Sequence, residues 1–194
     1  LYDGDKQSEV ETHMFIQTEA TPNPATLTFM PGHAVMGAQP PADFPNAEAA
    51  KASPLASALF ALEHVTGVFF GADFITVTKD DAEWQHIKPA ILTLIMDHFV
   101  AGLPVMPQRE VETAAQEDEA GPDAEIIGAI KQLLDTRVRP AVAQDGGDIV
   151  FHGYRDGVVS LHMRGACAGC PSATATLKHG IENLLRHYIP SVTE

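Results

Sequence analysis

The strongest constraint on the fold is an acidic, proline-containing segment that interrupts the 194-residue chain. Residues 103–123 contain three prolines and the consecutive acidic residues 117–119. Such a composition is typical of a flexible, solvated linker. The sequence therefore predicts two separate domains, at residues 14–102 and 124–194, and a chain of this length is long enough for both.

Residues 1–13 differ from everything that follows them. They are polar, acidic and aperiodic, so we expect a tag or a disordered leader that takes no part in the fold. They contain no basic stretch followed by an apolar stretch, as a secretory signal would, and no Arg-rich amphipathic presequence.

The first predicted domain begins with strand signals. Residues 14–18 are rich in β-formers, and residues 26–30 alternate apolar and polar side chains. Residues 38–52 are rich in proline and alanine and are predicted to be a loop. Ser53 and Pro54 are typical of an N-cap and a first helical position.

The rest of the first domain contains a hairpin signal and a long helix signal. The apolar runs on either side of residues 71–73 predict two strands joined by a three-residue turn. Asp80 and Asp81 are candidate caps for a helix over about residues 83–101. Pro89 lies inside that helix and predicts a kink or a later start.

The second predicted domain has the order α-β-β-α. Asp123 is a candidate N-cap for an amphipathic helix that Pro140 ends or closely follows. Two strands, at residues 149–152 and 158–163, are joined through a hairpin signal at 154–157. Pro171 begins the last helix. The predicted fold class is therefore α+β, with two small domains joined by the acidic linker.

Net charge and composition exclude several classes of protein. The formal net charge is −14, whereas a nucleic-acid binder presents a basic surface to the phosphates, so we expect no nucleic-acid partner. No run of about 20 apolar residues is present, so we expect no membrane span. Two cysteines are too few for a disulfide-built secreted scaffold.

One loop carries the only strong chemical motif. Cys167 and Cys170 are three residues apart between a strand and a helix, so both sulfurs can point at one metal centre. Gly165, Gly169 and Pro171 are predicted to shape this loop, and the flanking glycines favour an exposed position. The amides of the helix N-terminus favour negative charge, so we expect lowered thiol pKa values.

Four interpretations of these cysteines remain open from the residues alone. They are buried and inert thiols, a dithiol–disulfide oxidoreductase, a zinc site shared by two chains, or ligands of an iron–sulfur cluster. A cluster requires about four thiolates and one chain offers two, so a second chain, a client protein or a small thiol must supply the others. A cluster held across such a joint is easily released, which suits a carrier.

Other side chains give no comparable signal. The nine histidines show no ligand spacing, and a turn explains Asp145 and Asp148 on either side of two glycines. No nucleophilic triad and no phosphate-binding loop is recognisable, so we expect no enzymatic activity.

The sequence resembles the NifU-like (Nfu) family of iron–sulfur cluster carriers. The C-terminal resemblance rests on R-P-x-x-x-x-D-G-G-D within residues 138–149 and G-x-C-x-G-C-P within residues 163–172, a highly specific combination, and continues at residues 176–182. Residues 15–24, 53–56 and 69–77 resemble the N-terminal module of the family.

This resemblance implies a function and a ligand set. It implies a [4Fe–4S] cluster held between two subunits through Cys167 and Cys170 of each, with [2Fe–2S] or zinc as less favoured alternatives. It implies that an upstream assembly scaffold supplies the cluster and that apo iron–sulfur proteins receive it. The N-terminal module is expected to recognise partners.

The free cysteines also bear on the compartment. Two unpaired thiols predict a reducing environment, for which the cytoplasm is the first expectation and the mitochondrial matrix the alternative.

Overall fold

A computed structural model describes residues 15–107, 123–168 and 171–194. The predicted leader and most of the predicted linker lie outside these ranges, so both stay predictions. Within the ranges, no helix combines the length and the apolar character that crossing a membrane requires.

The N-terminal unit is built on a five-stranded antiparallel sheet. Its strands are β1 (Gln17–Ala20), β2 (Thr26–Met30), β3 (Ala42–Phe44), β4 (Val65–Phe70) and β5 (Ile75–Lys79). Their order across the sheet is β1-β2-β5-β4-β3. The hairpin β4–β5 pairs Phe70 with Ile75, in agreement with the turn predicted at residues 71–73.

Three helices cover one face of this sheet: α1 (Ala47–Ala50), α2 (Pro54–Phe60) and α3 (Trp84–Val100). The Ser53 hydroxyl accepts a hydrogen bond from the Ala56 N–H, so the predicted cap of α2 is confirmed. Apolar side chains from both layers form one core; its fully buried members include Phe29, Phe70, Ile75, Val77, Leu55, Leu59, Ile91 and Ile95.

Alternation along the strands divides the sheet into two faces. Phe29 on β2 and Val77 on β5 belong to the helix-covered core. Thr28 and Thr76 are one residue away along the same strands, so they lie on the opposite face. They are cross-strand partners in the β2–β5 register.

Three expectations for this unit are wrong. Residues 38–52 are no simple loop, because they contain β3 and α1, whose first turn Asn46 caps by accepting from the Ala49 N–H. The first strand begins at Gln17, three residues later than predicted. Asp80 does not cap α3, because its carboxylate binds the His64 ring and the Ala82 N–H.

The long helix itself agrees with the sequence in extent. It begins at Trp84 directly after Glu83, so Pro89 causes no late start. The residues that follow α3 stay attached to the core: Val105 is buried in it, and its carbonyl accepts from the Ser53 hydroxyl at 2.6 Å.

The C-terminal unit has the predicted α-β-β-α order, and the α+β class is confirmed. Its elements are α4 (Ala124–Leu133), α5 (Arg139–Gln144), β6 (Gly147–Arg155), β7 (Val158–Gly165) and α6 (Pro171–Tyr188). Helices and hairpin enclose a second core; its members include Ile130, Leu134, Val138, Val142, Ile149, Cys167, Ile181 and Leu185.

Pro140 does not end the first helix of this unit, contrary to expectation. A π-helical turn, Leu134–Val138, joins α4 to α5, and Pro140 is the second residue of α5. The wider turn changes the hydrogen-bond pairing just before the proline, which lacks an N–H, so the chain continues as a helix.

The hairpin turn is formed by Asp156 and Gly157. Both have positive φ angles, 51° and 86°, as a two-residue turn of this hand requires. The C-terminal tail returns to this turn, where the Thr193 N–H donates to the Gly157 carbonyl at 2.7 Å.

Candidate functional site

The loop with the cysteine motif begins at the open end of the β6–β7 hairpin. Gly147 pairs with Gly165 in the last register position, and the Ala166 N–H donates to the Gly146 carbonyl at 3.1 Å. The Ala168 N–H then donates to the Gly165 carbonyl at 3.0 Å. The chain therefore turns tightly at Cys167, between the hairpin and α6.

Two glycines shape this end of the hairpin: Gly146 directly precedes β6, and Gly165 ends β7. Gly146 and Gly165 have φ angles of 77° and 65°, in the left-handed region that other residues rarely adopt. A Cβ atom on Gly165 would lie 2.7 Å from the Gly146 carbonyl oxygen. Gly146 therefore requires glycine for its backbone conformation. Gly165 requires it both for its conformation and for the close approach of the Gly146 backbone.

Cys167 is buried, with 6% of its surface exposed, and it belongs to the C-terminal core. A Cβ atom on Gly147 would lie 2.7 Å from its sulfur, so the side chain fills the space that this glycine leaves. The expectation of an exposed loop is wrong for this cysteine, because the hairpin end folds its side chain inward.

The protonation of Cys167 also differs from expectation. Burial raises the pKa of its thiol to about 11, and the charges of Asp145 and Asp148 add to the rise. The expected lowering of the thiol pKa is therefore wrong for Cys167 in this conformation. The thiolate is the form that binds metal, so this thiol must lose its proton before it can ligate a metal.

The other predicted site residues are only partly described. Gly169 and Cys170 lie outside the described residues, so their roles stay predictions. Pro171 is the first residue of α6, as expected. The Thr174 hydroxyl donates to the Cys167 carbonyl at 3.3 Å and ties the loop to the first turns of that helix.

An ion pair between α5 and β6 lies next to the motif loop. Arg139 donates from Nε and Nη2 to the two carboxylate oxygens of Asp148, at 2.9 and 3.2 Å. Asp148 is buried in β6 next to Gly147, and Arg139 lies in α5. Sequence reasoning assigned Asp148 to a turn and missed this pair, although both residues belong to the R-P-x-x-x-x-D-G-G-D motif.

Side chains of the N-terminal unit reach this site. The Thr76 hydroxyl donates to the Gly146 carbonyl at 2.8 Å, and the Asn23 amide donates to the Ala166 carbonyl at 3.5 Å. Sequence reasoning did not identify these residues, because a threonine on the outer side of a strand and an asparagine in a turn usually face solvent.

Metal-ligating side chains do not cluster elsewhere in the part of the chain that is described. Among those residues, no group of three or more His, Cys, Asp or Glu side chains could hold a metal ion. The motif loop is therefore the candidate site.

Both units match known family profiles. Residues 16–102 match "Scaffold protein Nfu/NifU N terminal", and residues 130–194 match "NifU-like domain". Together these matches cover well over half of the chain. The chain belongs to the Nfu family.

Curated members of the Nfu family are similar over most of this chain. The "NFU1 iron-sulfur cluster scaffold homolog, mitochondrial" of Drosophila sechellia is 54% identical over 182 residues, and that of Drosophila erecta is 53% identical. Each alignment covers 92% of this chain and 63% of the relative, so the chain spans less than two thirds of these relatives' length.

The solved structures that this chain is similar to are more distant in sequence than these relatives. The solution NMR structure of a NifU-like protein from Saccharomyces cerevisiae is 26% identical, with a TM-score of 0.45. The match covers 50% of this chain and 87% of that one.

Proposed function

We propose that this chain is an iron–sulfur cluster carrier. Two copies share one [4Fe–4S] cluster, each supplying Cys167 and Cys170 as thiolate ligands. The observation that carries the proposal is the cysteine count: the sequence has two cysteines, both in one G-x-C-x-G-C-P loop, and a cluster needs about four thiolates. Family membership and the relatives' names support the same function.

Transfer proceeds by thiolate exchange. Each cysteine releases its proton when it binds iron, and a client's thiolates replace the carrier's one at a time, so no oxidant or reductant is consumed. The cluster is cargo that an upstream assembly scaffold supplies and an apo iron–sulfur protein receives. A site shared between two chains lets the cargo leave without unfolding either domain.

The compartment of this function is a reducing one, because the thiols must stay free. The word "mitochondrial" in the relatives' names favours the mitochondrial matrix over the cytoplasm, which was the first expectation. Subcellular fractionation of the source cells tests this assignment.

Anaerobic reconstitution of the full chain tests the proposal. We expect about four irons and about four sulfides per two chains, and a mass in solution near twice the 20.8 kDa of one chain. Cys167→Ser and Cys170→Ser should each lose the cluster. Ala168→Ser adds the same hydroxyl between the two cysteines and should retain it.

Three outcomes would contradict the proposal. A complete cluster on a monomer without added thiols would remove the need for a shared site. Stoichiometric zinc without sulfide would favour a zinc site, and rapid turnover in an insulin-reduction assay would favour an oxidoreductase.

A further inference from the structure

The centre of the outer face of the N-terminal sheet is buried, although all three of its helices lie on the other face. Four outer residues form one row across the sheet, each directly opposite the next in the strand registers: Asp43, Phe69, Thr76 and Thr28. An antiparallel sheet with one covered face normally exposes the other to water. Phe69 and Thr76 are nevertheless 1% exposed, and Thr28 is 5% exposed.

The C-terminal unit provides the cover. A Cβ atom on Gly165 would lie 3.0 Å from Cγ of Phe69, and one on Gly146 would lie 2.4 Å from the Thr28 hydroxyl oxygen. Any side chain at Gly146 or Gly165 would therefore collide with this row of residues. Gly146, which precedes β6, and Gly165, which precedes the turn at Cys167, therefore make this contact possible.

Polar groups of the N-terminal unit bind the backbone at both strands of the hairpin end, just before β6 and just after β7. The Gly146 carbonyl accepts from the Thr76 hydroxyl and from the Ala166 N–H, so one oxygen joins the row to the residue before Cys167. The Asn23 amide donates to the carbonyl of that same residue, Ala166.

Asp43 makes the contact at the other end of the row. Burial raises the pKa of its carboxyl group, and the nearby Arg164, the Gly165 N–H and His162 oppose that rise. Arg164 and Gly165 are the last residues of β7, so Asp43 also lies against the start of the motif loop.

We propose that the row of Asp43, Phe69, Thr76 and Thr28 is a docking surface for the glycine-rich hairpin end that carries Cys167, and that docking holds Cys167 in its buried position. The occupant is this chain's own loop, which presents the Gly146 carbonyl oxygen and two positions without side chains. The consequence for cargo rests on the proposed function: before two chains can share a cluster, the row must separate from the loop so that Cys167 can turn outward.

Two matched substitutions test the docking. Thr76 and Thr28 are cross-strand partners that both contact Gly146, but within the described residues the Thr28 hydroxyl has no hydrogen-bond partner. In the metal-free full chain, Thr76→Val should shift the amide NMR signals of Gly146 and Ala166 more than Thr28→Val does. Absent shifts, or equal shifts for the two variants, would overturn the docking.

The alkylation rate of Cys167 tests its retention in the buried position. In a Cys170→Ser background without metal, Thr76→Val should raise the rate with iodoacetamide about threefold to tenfold, since one buried hydrogen bond is lost. Thr28→Val should leave the rate within about twofold, because no hydrogen bond is lost. Equal rates for the two variants would overturn the retention of Cys167 by docking.

A third variant keeps the proposal testable if Thr76→Val does not fold. Asn23→Asp retains the oxygen that accepts from the Ala25 N–H but loses the donor to Ala166, so it should also speed alkylation. Neither measurement involves a cluster. A chain that passes both tests and binds no cluster would contradict the proposed function alone, and a cluster-binding chain that fails both would contradict the docking alone.

Discussion

Arg139 and Asp148 form a bidentate ion pair that joins α5 to β6 beside Cys167. The carboxylate end is buried and the guanidinium end is partly exposed. The hydrogen bond to Asp148 raises the pKa of Arg139, so the guanidinium stays charged. The pair fixes the strand residue next to Gly147, whose missing side chain leaves room for the cysteine sulfur.

Removing this guanidinium should destabilise the C-terminal unit. Arg139→Ala leaves a buried carboxylate without its partner, and we expect a loss of about 1–3 kcal/mol, at the low end for a buried pair because Arg139 is partly in solvent. The free energy of unfolding in urea measures this loss.

Asp135 supplies the control for that experiment. It also binds Arg139, at 3.1 Å, but 60% of its side chain is exposed. Asp135→Asn should therefore cost less than about 0.5 kcal/mol. Equal losses for the two variants would show that the buried pair contributes no more to the free energy of unfolding than the exposed one.

The buried thiol of Cys167 should react slowly. Its pKa of about 11, against a usual value of 9.0, leaves about 100-fold less thiolate at neutral pH. In a metal-free Cys170→Ser chain, alkylation near neutral pH should be slower than that of a free cysteine by about this factor. The rate should still rise between about pH 10 and about pH 11, where a free thiol is already mostly ionised.

Denaturant provides the control for this prediction. In about 8 M urea the burial is lost, so the rate should equal that of a free cysteine. A native-state rate that levels off near the usual pKa would contradict the raised value.

Local signals in the sequence were sufficient for much of the fold. Alternation predicted β2, the Ser53–Pro54 pair predicted the start of α2, and Asp156–Gly157 predicted the second hairpin. Each of these signals acts over a few residues, where backbone preferences decide the structure. The motif loop was likewise located from its residues alone.

Features that depend on packing between distant segments were not predictable. Thr28 and Thr76 have the pattern of a solvent-facing strand side. Gly146, which covers both, is 118 and 70 positions away along the chain. The burial of Cys167 and its raised pKa come from packing in the C-terminal core, because glycines that suggest an exposed loop also permit close packing. The π-helical turn before Pro140 carries no local signal that we recognise.

Alanine substitutions at Gly157 and Gly128 should change the stability of the chain in opposite directions. Gly157 has a φ of 86°, and a Cβ atom there would lie 2.7 Å from the Thr193 hydroxyl oxygen. Gly157→Ala should therefore destabilise the chain by about 1–3 kcal/mol. Gly128 lies in α4 with nothing within 4 Å of an added Cβ, so Gly128→Ala should stabilise by about 0.5–1 kcal/mol.

Thermal unfolding of the two glycine variants checks these signs. A lower midpoint for Gly157→Ala and a higher one for Gly128→Ala are expected. Destabilisation by Gly128→Ala would contradict the prediction for α4.

A buried histidine at the end of α3 should make the stability depend on pH. His98 lies in the last turn of that helix, and its Nε2 is 3.2 Å from the Pro104 carbonyl oxygen. Burial lowers the pKa of His98, and the contacts with Pro104 and Leu103 oppose that shift only in part. The neutral ring therefore donates Nε2–H to Pro104 and holds the chain that follows the helix.

The sign of the pH effect follows from the lowered pKa. The unfolded chain takes up a proton at His98 near pH 6.5, whereas the folded chain does so at lower pH, so the free energy of unfolding falls as pH drops through that interval. His98→Gln keeps a neutral donor and should lose less stability than the parent between about pH 7.5 and about pH 5, measured by urea unfolding. His86→Gln changes an exposed histidine of the same helix and should follow the parent curve. Parallel curves for His98→Gln and the parent would show that the folded chain accommodates the protonated ring.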